Sequence, residues 1–255
     1  MNLLKNIDFL DFYFNGHYLS EYGGIVGGTE PLKQYPLLPT RVYVTDRAAN
    51  QDGVYVFNSY LEPRIFEVPV FFDDIDSVGL RKISAWLNSE KDTWFYFKGD
   101  NLKIKCSIDG EYLLDTITGD NGVVYLKFIA HDPYYYALDE DEISYTGLSG
   151  STHEFLFVNS GNQPCFPQMR IMSSGDITVS VLSENKTNVI TQCTISDVVN
   201  AVNLDSVNCN CLSGSGANWF DLFDGVFPVF PDGSSILRID GLVNRVDITP
   251  NYRWI

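Results

Sequence analysis

Three histidines, five cysteines and a large excess of carboxylates are the side chains in this sequence best suited to carry chemistry. Each histidine has an acid close by: His17 with Glu21, His131 with Asp132, and His153 with Glu154. A His–acid pair orients an imidazole for general-base work only when a nucleophile on a strained turn completes the set, and adjacency in sequence does not supply that geometry. No G-x-S-x-G elbow is present, since Gly214-Ser215-Gly216 lacks flanking glycines in the required register. Cys209-Asn210-Cys211 is a C-x-C pair, but a zinc site needs two further ligands, and neither a C-x-x-C nor a closely spaced histidine pair occurs. A glycosidase needs two carboxylates at a fixed separation; among 33 acids any pair can be chosen at will, so abundance identifies none. The sequence therefore predicts no catalytic, cofactor-binding or metal-binding residue, and no enzyme.

Two other patterns invite a binding role. Trp219-Phe220 and Tyr252-Arg253-Trp254 have the residue types that stack on sugar rings, which gives a lectin-like, carbohydrate-binding adhesion protein as the alternative function; the plainer expectation is that these aromatics fill a core and its ends. Tyr22-Gly23-Gly24-Ile25-Val26-Gly27-Gly28 is rich in glycine, yet it matches neither phosphate-loop spacing and no long helical pattern follows. It reads as a turn and bulge region.

The elements that must position these residues are mostly strands. Ile7, Phe9, Phe12 and Phe14 lead to Asn15-Gly16, a hairpin-type turn. Residues 31–63 hold four prolines and a polar tip, Asp46 to Gly53, between Val42-Tyr43-Val44 and Val54-Tyr55-Val56-Phe57, which predicts an extended hairpin projecting from the body. Arg64 to Val68 is a strand, followed by Pro69 and apolar Val70-Phe71-Phe72. Asp73, Asp74 and Asp76 suit the positive end of a helix dipole. The helix itself is expected over Val78 to Leu87, with Leu80, Ile83 and Leu87 on one face and Asn88 ending it. Leu102, Ile104, Cys106 and Ile108 alternate with polar residues, so Cys106 should face a core. Val123 to Ile129 is a further strand.

After residue 138 the composition changes: the first 138 residues carry 12 basic and 19 acidic side chains, the rest 5 and 14. Asp139-Glu140-Asp141-Glu142 reads as a solvated linker, because four consecutive carboxylates mostly repel rather than chelate. The predicted domains are 1–138 and 139–255. The second, with strands at Phe155 to Val158, Ile177 to Val181, Val189 to Ile195, Ile236 to Ile239 and Val246 to Thr249, is expected to be a β-sandwich of jelly-roll type.

At 255 residues with 45% hydrophobic and 20% charged side chains, the chain can bury a real core, which excludes disorder as its main state. A net charge of −16 repels phosphate backbones and argues against specific nucleic-acid binding. Asp8 and Asp11 interrupt the opening apolar stretch, so no signal peptide is expected; no apolar run reaches membrane-spanning length. The odd set Cys106, Cys165, Cys193, Cys209 and Cys211 is expected to stay reduced, and Asn185-Lys186-Thr187 to be a chance sequon.

The order of these parts resembles the distal tail protein (Dit) family of siphophages and tailed prophages. Phe12-Tyr13-Phe14-Asn15-Gly16-His17-Tyr18 with Tyr22-Gly23-Gly24-Ile25-Val26 is similar to the family's opening pattern, with Gly24 as an extra residue taken for a local bulge. Ile83-Ser84-Ala85-Trp86-Leu87 resembles its helix ending, the strand Leu102 to Ile108 its next part, and Leu126 to Tyr134, with Asp132-Pro133-Tyr134, its close. The resemblance implies a mainly β fold with one short helix, made of an N-terminal split β-barrel-like ring domain and a C-terminal galectin-like β-sandwich. It implies a homo-hexameric ring hub in the virion, at the distal end of the tail tube, built in the host bacterial cytoplasm. Its partners would be the tail tube protein, the tape-measure protein, a tail-associated lysin or tail-tip protein, and in some phages a receptor-binding protein. Residues 31–63 are expected to form much of the subunit contact. Six copies of a −16 chain imply an acidic lumen through which DNA passes without being held.

Overall fold

The computed structural model describes residues 11–27, 38–47, 49, 52–73, 75–110, 115–118 and 121–255. Ile7, Phe9, Asp74 and positions 31–37 of the expected hairpin lie outside them. The chain divides into two compact units, Met1–Leu138 with Ile255, and Asp139–Trp254.

The first unit opens with β1 (Phe12–Phe14), β2 (His17–Tyr18) and β3 (Gly24–Val26), then a hairpin of β4 (Arg41–Asp46) and β5 (Tyr55–Leu61). β6 (Arg64–Phe72), α1 (Ser77–Leu87), β7 (Thr93–Phe97), β8 (Leu102–Ile108), β9 (Asp115–Thr118), β10 (Asn121–Ala130) and β11 (Tyr135–Ala137) follow. The strands form a curled antiparallel sheet in the order β2-β1-β7-β8-β10-β6-β3, with β11 on β8 and β9 on β10. β8 and β10 meet only at Phe128 with Ile108 and Ile129 with Ser107, so the sheet turns a corner there. Its two arms enclose one aromatic core: Phe12, Phe14, Phe95, Phe97, Ile104 and Cys106 from one arm, Phe66, Val68, Phe72, Leu126 and Phe128 from the other. The period-two burial of β6, β8 and β10 produces this directly, because alternate side chains share a face.

Pro69 lies within β6 instead of ending it. Its carbonyl accepts from Gly27 N at 3.0 Å, beside the last β3 pair, Val26 with Val70. In an antiparallel strand the N and C=O of one residue point the same way, so the missing N–H falls beyond the β3 ladder and removes no bond to β10. Gly24 also departs from expectation. It pairs regularly with Phe72 and forms no bulge; a Cβ there would meet Leu19 Cδ1 at 2.4 Å and Phe72 Cε1 at 2.7 Å, so close packing requires glycine.

Asp76 caps α1, its carboxylate accepting from Val78 N at 3.1 Å and Gly79 N at 2.6 Å. The buried face is Ile83 with Trp86, while Leu80 is exposed, which shifts the helix's inner stripe from the expected Leu80–Ile83–Leu87 line. Trp86 is the reason. Its indole Nε1 donates to Phe14 O at 2.7 Å, and Asn15 Nδ2 donates to Trp86 O at 2.7 Å. The Asn15-Gly16 turn and the helix end, some seventy residues apart in sequence, are thereby locked reciprocally. Tyr22 stacks on the indole at 4.6 Å.

The second unit contains β12 (Ile143–Thr146), β13 (Thr152–Asn159), β14 (Gln168–Ser183), β15 (Val189–Asp205), β16 (Asn210–Ser213), β17 (Phe223–Gly225) and β18 (Gly233–Thr249). Several strands expected to be separate are halves of long ones: Ile236 to Ile239 and Val246 to Thr249 both belong to β18. The pairing of β14 shifts register between Gly175 and Ile177 against β15, and between Ser174 and Thr178 against β18. Gly241, at φ +133°, sits at this fold, where a Cβ would come within 2.7 Å of Asp176 O. On one side of the bend lie β13, β17 and half of each long strand; on the other lie β12, β16 and the remaining halves. The two layers share one core, in which Val179, Ile195 and Ile239 of one layer cluster with Ile171, Val202 and Val246 of the other. The protein is thus mainly β, with one α-helix among the described residues.

Acid–base pairing on the second unit sets a pH dependence. Burial pushes the Asp247 carboxyl up, but Ser144 Oγ at 2.6 Å, Arg245 Nε at 2.8 Å, and the charges of Arg245 and Arg170 outweigh it and hold Asp247 below its ordinary 3.8. Asp240 is held down by the hydrogen bonds from Arg238 at 2.9 and 3.1 Å and from Thr152 Oγ1 at 2.7 Å. A carboxylate whose folded value is depressed adds stability that is complete above its unfolded value and disappears as pH falls through the folded one. Melting temperatures recorded from about pH 5 down to about pH 2 should fall, and Asp247→Asn should flatten part of that slope.

Candidate interaction surfaces

The histidines do not assemble a reactive centre. His17 Nδ1 bonds Glu21 at 2.9 Å on the surface. His131 bonds Asp92 at 3.0 Å and not its neighbour Asp132, which accepts from Tyr136 OH at 2.5 Å. His153 lies against Phe155, while Glu154, one position along the strand, pairs with Lys186. Among the described residues no hydrogen bond joins a histidine to a hydroxyl or thiol, and no group of three or more His, Cys, Asp or Glu is gathered for a metal.

The Asp-Pro-Tyr segment has a structural task. Arg64, almost fully buried, donates from Nε to Pro133 O at 3.1 Å and lies 4.9 Å from the Tyr135 ring centroid. The acidic run at 139–142 is only partly a solvated link, since Glu140 Oε1 accepts from Tyr252 N at 2.8 Å.

Four of the five cysteines are core residues, and Cys209 alone is exposed. Burial pushes the thiols of Cys165 and Cys193 up to about 12, that of Cys211 up to about 11, and that of Cys106 higher still. A maleimide at pH 8 should therefore add once per folded chain, at Cys209, and five times after denaturation; mass spectrometry reads both.

Of the aromatics with sugar-stacking character, Trp219 and Tyr252 pack against the sandwich core, and Tyr252 lies 6.2 Å from the Phe157 ring. A cavity of about 300 Å³ on the outer face of β14, β15 and β18 is lined by Gln168, Arg170, Asn203, Asp205 and Asp247, and no aromatic ring lines it. The sugar-stacking residues and the polar cavity do not coincide.

The β4–β5 hairpin is the most unusual surface. Antiparallel pairs run from Arg41 with Leu61 to Asp46 with Tyr55, broken by a bulge that leaves Phe57 unpaired. Tyr43, Val44, Val54, Tyr55, Val56 and Tyr60 are all exposed, and Phe57 is 70% exposed. Opposite residues share a face, so Val42 and Tyr60 lie on one side, and Tyr43 and Ser59 on the other. Both faces of the ribbon thus carry apolar side chains in the open. A lone two-stranded ribbon is marginal in water, and an apolar surface on this scale marks an interaction site.

Comparison with known proteins agrees with this architecture. Residues 7–132 match the family described as phage tail protein N-terminal domain. The fold matches the crystal structure of the phage SPP1 Dit (gp 19.1) protein with a TM-score of 0.74 at 15% identity, covering 96% of this chain and 99% of that one. Two chains from structures of the phage p2 baseplate in its activated conformation, one with Ca and one with Sr, align at TM-scores of 0.48 and 0.47. Their identities are 10% and 11%, over 86% and 84% of this chain and 88% and 87% of theirs. No curated protein sequence matches significantly.

A chain whose first unit is a phage tail protein N-terminal domain, followed by a second β unit, is a structural component of a phage tail. Its fold along nearly the whole length is that of the SPP1 Dit protein, and as a phage tail protein it is a component of the virion. None of its described helices is long and apolar enough to cross a membrane.

Proposed function

We propose that six copies of this chain close into a ring at the distal end of the tail tube. The ring acts as a non-enzymatic hub between the tube and tape-measure region and the tail-tip, lysin, baseplate or receptor-binding proteins. The SPP1 protein with the same fold is described as a paradigm of a hub adsorption apparatus in phages that infect Gram-positive hosts. The observation that carries the reading on this chain is the β4–β5 ribbon, exposed on both faces. A ring contact is heterologous, joining two different surfaces of one protomer, and a projecting apolar ribbon is one such surface awaiting the other. Residues 1–138 form the ring domain and 139–255 the outer domain in this reading. Assembly takes place in the host cytoplasm, and DNA passes through an acidic lumen without being held.

Negative-stain images of the purified protein, with its mass in solution, test the proposal. A six-fold ring of six chain masses is the expected result; a persistent monomer at high concentration overturns it. A glycan-array signal lost in Trp219→Ala or Trp254→Ala, without any ring, would favour an adhesion lectin.

A further inference from the structure

The outer face of one arm of the first unit carries rings and ammonium groups in an ordered array. Tyr18 pairs with Tyr13, and Tyr13 with Tyr96, across β2, β1 and β7. Their rings are 5.4 and 4.8 Å apart, and the Tyr18 and Tyr96 hydroxyls meet at 3.3 Å. Trp94, two residues before Tyr96 on the same outward face, pairs with Lys105, and Tyr136 of β11 pairs with Lys103. The ammonium groups of Lys103 and Lys105 lie 4.8 and 4.9 Å from the Trp94 ring centroid, and that of Lys98 lies 5.7 Å from Tyr18. The opposite side of the same strands, with Phe95, Phe97, Ile104 and Cys106, is the core. The result is a floor of half-buried rings with lysines set on it, in a chain whose net charge is −16.

We infer that this tyrosine–tryptophan–lysine face receives the β4–β5 hairpin of a second copy of the chain. The inference rests on the ring reading and names the surface that the hairpin meets. Three observations support it. The hairpin presents Tyr55, Phe57 and Tyr60, whose natural counterpart is a flat aromatic surface, where offset and edge-on ring contacts add to burial. The dimensions agree: five adjacent strands at about 4.8 Å spacing span roughly 19 Å, and the seven residues of β5 extend about 23 Å. The charges agree as well, because the described end of the hairpin carries exposed Asp46 and Asp52 against one exposed arginine, Arg47, and the floor carries Lys103 and Lys105 at one edge. Ammonium groups already ordered over Trp94 lose little side-chain freedom when a carboxylate arrives.

Charge reversal tests this on the full chain, with the ring fraction read by sedimentation and the fold by circular dichroism. Lys103→Glu with Lys105→Glu should leave the fold intact and weaken assembly by at least about tenfold, since like charges would then face each other. Adding Asp46→Lys and Asp52→Lys to that variant should restore most of the ring. Assembly unchanged in the lysine variant, or no recovery in the fourfold variant, overturns the inference. If Lys103→Glu/Lys105→Glu does not fold, Lys105→Glu alone serves, with partial loss expected and wild-type assembly overturning. The ring reading fails separately, by the absence of any ring in the wild type; a ring that survives lysine reversal but not hairpin substitution spares it and removes only this inference. An oligothymidylate bound at low salt by the wild type and lost in the lysine variant, with ring mass unchanged, assigns the face to nucleic acid and also overturns it.

Discussion

Replacing Trp86 by alanine should lower the stability of the first unit by about 3–5 kcal/mol, the range for emptying a large aromatic site in a core. The side chain is 4% exposed and stands where three elements meet. Its removal deletes the stack with Tyr22 at 4.6 Å, the contact with Phe12 at 5.8 Å and the hydrogen bond to Phe14 O at 2.7 Å. It also leaves that carbonyl without its indole donor, which adds a desolvation cost to the cavity. Trp86→Phe retains most of the ring and loses the N–H, so about 1–2 kcal/mol is expected. Asn15→Ala removes the other half of the lock and should cost a similar amount, without additivity, because both bonds close the same junction. Urea titrations of the three variants measure this; a Trp86→Ala loss under about 1 kcal/mol would refute the reciprocal lock as a source of stability.

That junction also shows what the sequence discloses and what it hides. The Asn15-Gly16 turn, the Asp76 cap and the alternation through Cys106 are local signals, and each is legible because its cause lies within a few residues. The link from Asn15 to Trp86 is a long-range contact, and in sequence it shows only as two motifs of unexplained spacing. Leu80 fits the helical period as well as Trp86 does, and nothing local says which stripe turns inward; the indole's partner at Phe14 decides it. In the second unit, period-two patterning located strand halves but not their continuity across the bend, because the bulges at Gly175 and Gly241 interrupt the alternation as a loop would. For the interaction surfaces, the hairpin was legible through its apolar runs and polar tip. The aromatic floor was not, since Tyr13, Tyr18, Tyr96 and Trp94 are scattered over eighty residues until β1, β2 and β7 bring them together.

Substituting Phe57→Asp together with Tyr60→Asp should abolish the ring and leave the monomer folded. Both side chains are exposed in the single chain, at 70% and 54%, so the folded state loses almost no buried contact and its stability should shift by about 0.5 kcal/mol or less. In an assembly the same positions would be covered. Each new carboxylate would then have to leave water without a partner, at a cost of several kcal/mol per contact, and a closed ring repeats that contact at every interface. Two effects separate by this argument: the melting temperature should be close to that of the wild-type monomer, while sedimentation shows association weakened by more than about a hundredfold. A conservative pair, Phe57→Leu with Tyr60→Phe, keeps the apolar surface and should retain the ring. If the aspartate variant still assembles, the ribbon faces solvent in the hub. Its exposed tyrosines and valines would then belong to contacts with another tail component, and ring closure would have to come from surfaces of the curled sheet.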